Sequence, residues 1–167
     1  MTRARDVADS SLAHIKTETF SGASIVSLNN IFSSSYDNYL FISTLSGNAA
    51  AGLRWRLRSG GSDISTSTYA WAVQNQGWTS SIAIGGSASD TAGEIGRVQG
   101  TDKATFNAYI KSPFLSELTF VDFHYVDVSR YGFGGSYNTN NTSYSGLSFF
   151  ATSGTISGVV KIYGYRD

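Results

Sequence analysis

"LRWRLRSGG", residues 53–61, alternates without a fault: Leu53, Trp55 and Leu57 are apolar, while Arg54, Arg56 and Arg58 are charged. A period of two belongs to a β-strand and not to a helix. As a strand, the segment sends the two sets to opposite sides, with same-face neighbours about 6.6–6.8 Å apart. Three large apolar side chains on one face need cover, so this strand predicts a sheet buried on one side. The arginine row has three readings: a solvated face, a nucleic-acid grip, or an intersubunit face. In the last, flat guanidinium groups meet carboxylates or stack on tyrosines.

The rest of the chain repeats the strand pattern. "KTETFS" and "SIVSL" come first, split by Gly22. "YLFISTL" (39–45) is apolar on both faces, which predicts a central strand. "TYAWAV" (68–73), "ATFNAYIKS" (104–112, stopped by Pro113), "ELTFVDFHYVDVS" (117–129), "GLSFFATS" (146–153) and "SGVVKIYGYR" (157–166) follow. "SSIAIGG" and "GEIGRVQG" are shorter and weaker. Tyr, Phe, Val, Ile and Thr favour strands, and Gly, Asn and Ser punctuate them. The expectation is eight to eleven strands with no convincing helix. That count fits one all-β domain: a single antiparallel β-sandwich, jelly-roll-like, over residues 16–167. Residues 1–15 stand apart as a short N-terminal arm, with Arg3, Arg5 and Asp6 as candidate attachment residues.

Composition excludes several functions. With 167 residues there is enough chain for one real core. Twelve basic and twelve acidic side chains cancel, so the basic excess of a nucleic-acid binder is absent and no nucleic-acid partner is expected. There is no cysteine, which removes disulfides and thiolate metal sites. No apolar run approaches the roughly 20 residues of a membrane helix, and the N-terminus lacks the apolar core of a signal peptide. No membrane partner is expected, and the chain reads as made in a cytoplasm.

A search for chemistry finds little. His124 lies two residues after Asp122 on one strand face, which reads as a hydrogen-bonded pair on a sheet before it reads as catalysis. No Gly-x-Ser-x-Gly elbow, P-loop, dinucleotide fingerprint or calcium-loop spacing is present. Most acidic residues fall in turns, where Asp supports the backbone. No catalytic residue, cofactor or metal is expected. Two stretches do rise above background: "STSTYAWAVQNQGWTS" (65–80) and "SRYGFGGSYNTNNTSYSG" (129–146). Both read as long loops that space aromatics with adaptable polar residues, as antibody binding loops do. Trp71, Trp78, Tyr131, Phe133, Tyr137 and Tyr144 are the candidate ligand or partner residues.

"YDNYLFISTLSG" (36–47), followed by "LRWRLRSGGSDISTSTY" (53–69), resembles a segment of many bacteriophage virion proteins. The ending "ISGVVKIYGYR" (156–166) is similar to their closing strand, and "TRARDVAD" (2–9) to the start of phage tail-fibre and related structural proteins. The resemblance implies a jelly-roll-like sandwich on a phage particle, often trimeric, with no catalytic residue. A chain of one arm and one sandwich, lacking a shaft, points to capsid decoration or cement. A tail-fibre or tail-tip module that recognises host-surface glycan is the alternative. The partners so implied are copies of itself and the major capsid protein or tail proteins. The arm would attach, and Arg54, Arg56 and Arg58 would form a subunit interface.

Overall fold

The computed structural model describes residues 12–79 and 81–166, and these contain strands and turns without a helix. Thirteen strands form: β1 (Ala13–Ala23), β2 (Val26–Leu28), β3 (Asn38–Gly47), β4 (Ala50–Ser59), β5 (Ser62–Asp63), β6 (Tyr69–Gly77), β7 (Ile82–Asp90), β8 (Gly93–Gln99), β9 (Ala104–Lys111), β10 (Thr119–Val126), β11 (Arg130–Asn138), β12 (Gly146–Ala151) and β13 (Ile156–Tyr165). The first strand starts at Ala13, so the last residues given to the arm belong to the sheet. Arg3, Arg5 and Asp6 lie outside the described residues.

All pairings are antiparallel. One sheet has the order β1-β13-β3-β9-β10-β11-β6-β7, and the other runs β2-β12-β4, with β5 and β8 both pairing β4. Eight of these strands make a jelly roll: β1-β13-β3-β9 faces β2-β12-β4-β8. Two insertions elaborate it. Residues 62–90 sit between β4 and β8, and residues 119–138 between β9 and β12. They meet through β11 and β6, and together extend the larger sheet by β10, β11, β6 and β7.

The core lies between the sheets, as the alternation at residues 53–58 requires. Leu53, Trp55 and Leu57 are all buried at 1% exposure or less. They face Tyr39, Phe41, Phe106 and Phe123 of the opposite sheet. Trp55 donates its indole N–H to Ser136 Oγ at 2.8 Å and meets Tyr69 edge-on at 5.4 Å. That single residue therefore ties β4 to β11 and β6. Tyr69 in turn accepts the Leu57 amide at 2.9 Å and donates to the Ile64 carbonyl at 2.9 Å. Burial pushes its hydroxyl well above the usual tyrosine range, against the pull of the bond from the Leu57 amide.

Residues 129–146, read from the sequence as a loop, are for the most part strand. Residues 130–138 form β11, an interior strand paired on both sides. Its glycines made it look like a loop, but they serve packing. A Cβ at Gly132 would strike the Tyr125 ring, and one at Gly134 would strike the Ala72 carbonyl and come within 2.8 Å of Phe123. In the other aromatic stretch residues 69–77 form β6, which takes in all but the first residue of the strand expected at 68–73 and extends it.

Candidate functional site

The arginine row works inside the chain. Arg58 is only 8% exposed; it donates to Asn29 Oδ1 at 2.8 Å and Ser27 Oγ at 3.0 Å, and also binds Asp63 and the Gly61 carbonyl. It clasps β2 and β5 to β4. Arg54 reaches Asp90 Oδ2 at 2.9 Å and Glu94 Oε2 at 2.7 Å, and its guanidinium lies 4.4 Å over the Trp71 ring. Trp71 Nε1 donates to the same Asp90 oxygen at 3.1 Å. This cluster fastens the β6–β7 hairpin onto the edge of the smaller sheet. Arg56 donates to the Thr91 carbonyl at 2.9 Å and covers Phe150 at 4.7 Å. Of the three, Arg58 has almost no surface left to offer a neighbour.

Glu94 is the most perturbed carboxyl of the cluster. Burial pushes it up to about 7, while Arg54 and Arg97 pull it back and Asp90 adds to the rise. Asp90 moves the other way. Burial raises it, but hydrogen bonds from Trp71, Arg54 and the Thr91 amide outweigh that and hold it below the usual range.

The surface that gathers the aromatic candidates is the outer face of the larger sheet. Alternation along β11 points Tyr131, Phe133, Gly135 and Tyr137 outward. Their partners on β10 are Val126, His124, Asp122 and Phe120. Phe120 stacks on Tyr137 with ring centres 5.7 Å apart, and Tyr131 lies 5.9 Å from Phe133. Between the two aromatic pairs the surface drops to small residues: Gly135 on β11, Ala72 on β6 and Gly86 on β7 are aligned across the sheet. The result is an open trough. One part, of about 350 Å³, lies beside Ala70, Ala72, Ser87, Ala88 and Tyr137. Another, of about 530 Å³, lies beside Gln74, Ile84 and Phe133, and the two share Ala72 and Gly135.

Polar groups border the trough. Lys111 Nζ is 2.9 Å from Asp122 Oδ2, and the Asn107 amide is 2.9 Å from His124 Nε2. Asp122 and His124 do share a face, but each bonds across to β9 and not to the other. Among the described residues no group of three His, Asp or Glu side chains could hold a metal ion.

The structure separates the six aromatic candidates. Tyr131, Phe133 and Tyr137 come together on the outer face, at 38%, 44% and 37% exposure. Trp78 lies just past the end of β6 and is exposed, whereas Trp71 is engaged by Arg54 and Asp90. Tyr144 departs from expectation: it is 2% exposed, and its hydroxyl donates to Asn138 Oδ1 at 3.2 Å. It is a core residue with no face for a partner. Phe120, Tyr109 and Ile84 belong to the same outer surface and were missed. Strand alternation alone would have aligned Phe120 and Tyr109, but no sequence signal places β7 beside β6 on that surface.

No family model matches the chain, and no curated protein matches it. Among solved structures, one that is similar in part is a fructofuranosidase variant from Schwanniomyces occidentalis, complexed with fructosylnystose. The identity is 8% and the TM-score 0.29; the match takes in 94% of this chain and 34% of that one. The chain thus spans about a third of the length of that enzyme, and a likeness at that score carries no argument about function.

Proposed function

We propose that this chain is a non-enzymatic structural protein of a bacteriophage particle, most specifically a capsid decoration or cement subunit. The attribution to a virion rests on the sequence resemblance in residues 2–9, 36–69 and 156–166. The observation that carries the structural part is the uncovered outer face of the larger sheet. Ile42, Tyr109, Phe120, Val126, Tyr131, Phe133 and Tyr137 all lie on it at 37–45% exposure. Exposed aromatic pairs such as Phe120 with Tyr137 and Tyr131 with Phe133 support a contact site on this face. The face is broad and open, suited to another protein surface more than to a reacting small molecule. Its partners would be the major capsid protein or tail proteins, and further copies of the chain. Counting copies per particle by quantitative mass spectrometry tests the reading. Hundreds of copies are expected for a capsid subunit; about three to eighteen would place it in a tail on symmetry grounds, and absence from particles would refute both.

The trough favours a second reading, a tail-fibre or tail-tip module that holds host-surface glycan. Sugar rings stack on aromatic faces such as Phe133 and Tyr137, and the Gly135–Ala72–Gly86 floor leaves room between them. Isothermal titration with host polysaccharide would decide: binding lost in Phe133→Ala and Tyr137→Ala supports it, and no heat with the wild type removes it.

A further inference from the structure

The four sheet edges of this sandwich are not treated alike. An exposed edge strand invites pairing with another chain, and proteins blunt it with charge, bulges, short length or cover. At one end of the larger sheet, β1 carries Lys16 and Glu18, paired at 3.0 Å, and is broken by two register shifts. At one end of the smaller sheet, β2 is three residues long. At the other end, β5 has two residues, and β8 is covered by contacts with β6 and β11. The remaining edge is β7; its one charge, Asp90, and its one register shift both lie at its far end, and its stretch from Ile82 to Ser87 has none of these protections.

Strand β7 reads "IAIGGSASD", with no charge before Asp90 and no proline. It runs for nine residues, paired to β6 on one side only. Ile84 is 82% exposed and Ile82 is 58% exposed, while Trp78 at 58% lies on the approach from β6. Its register with β6 shifts between Tyr69 and Trp71, so the ladder is regular from Ser87 back to Ile82, the stretch that holds both isoleucines.

We propose that β7 pairs antiparallel with β7 of a second copy of this chain. The strand is complementary to itself. With Gly85 opposite Gly85 on a two-fold axis, Ile84 meets Gly86 and Ile82 meets Ala88, large against small each time. All four lie on the outer face, because antiparallel pairing about one residue preserves the face. No charged side chains are brought together, whereas a charged strand from another protein would lay its ions across the two isoleucines. The same unprotected edge on both copies makes the contact isologous, so it closes at two subunits and not three. The two larger sheets then run on as one, and the two troughs share one continuous outer surface. The pairing goes beyond the virion reading and does not depend on it.

Light scattering on the full chain after size exclusion, over a dilution series, tests this. The wild type is expected at twice 17.9 kDa, dissociating towards 17.9 kDa on dilution. Ile84→Lys, at a side chain that is almost wholly exposed, should give 17.9 kDa throughout with an unchanged circular dichroism spectrum, while Ile84→Val should stay dimeric. Hydrogen exchange at the outward amides of β7 should speed up about tenfold or more in Ile84→Lys. A wild type that is monomeric at every concentration, a mass of three copies, or an Ile84→Lys protein that remains dimeric would overturn the proposal. Failure to find the chain in phage particles would remove the virion role and leave the pairing standing.

Discussion

Trp55 joins the two sheets by volume, by ring contact and by a hydrogen bond, and each contributes. Trp55→Ala should cost about 3–5 kcal/mol, the range for a large aromatic removed from a core. It also leaves the Ser136 hydroxyl without its 2.8 Å donor. Urea denaturation followed by far-ultraviolet circular dichroism measures this. Gly93 makes the complementary case, since a Cβ there would run into the Trp55 ring. Within the arginine row the order of importance is set by burial. Arg58→Ala, which strips bonds from Asn29, Ser27 and Asp63, should cost about 1.5–3 kcal/mol. Arg56→Ala gives up mainly its contact with Phe150, worth about 0.5–1 kcal/mol. Equal effects in the same denaturation experiment would mean that the clasp formed by Arg58 does not matter.

At the scale of elements, the β6–β7 hairpin depends on the Arg54, Asp90, Glu94 and Trp71 cluster for its attachment, and that makes it responsive to pH. Glu94 is raised from 4.5 to about 7. A carboxyl that holds its proton more tightly when folded stabilises fully below the unfolded value, and that stability is lost as pH rises through about 7. Asp90 is lowered, so its contribution is present above its unfolded value of 3.8 and lost as pH falls through the folded one. Stability should therefore decline from mildly acidic to mildly alkaline pH, and Glu94→Gln should flatten that decline. An unchanged pH slope in Glu94→Gln would clear this carboxyl of the role. Here too lies the limit of what the sequence made legible. β4 could be read because alternating Leu, Trp and Arg have one meaning. β11 could not, because Gly132 and Gly134 look like loop residues unless one knows that Tyr125 crowds the first and Ala72 the second. Similarly, Arg54 and Asp90 are brought together only by the folding of an insertion, which no local pattern encodes.

For the whole molecule, the strand pattern and turn spacing were sufficient for a jelly-roll-like sandwich, because the interior of each strand is written in its own alternation, although the described residues hold thirteen strands against the eight to eleven expected. Which insertions extend which sheet was not legible, since that is decided by pairings such as β11 with β6, more than fifty residues apart in the chain. The closing pairing is longer still. Ala13 near the start of the described chain lies opposite Gly164 near its end, and the β1–β13 ladder then runs inward to Ala23 and Ile156. Both chain ends thus leave from the same end of one ladder. Tension applied between them loads its hydrogen bonds one pair after another, as a zipper is opened, and not all at once in shear. In an optical trap that grips the two ends, β1 should peel away first at low force while the remaining sandwich holds. A mechanical load carried through the N-terminus alone would instead pull along β1 and against the whole ladder. The same protein would then be weak as a link in a chain and firm as a hanging tag.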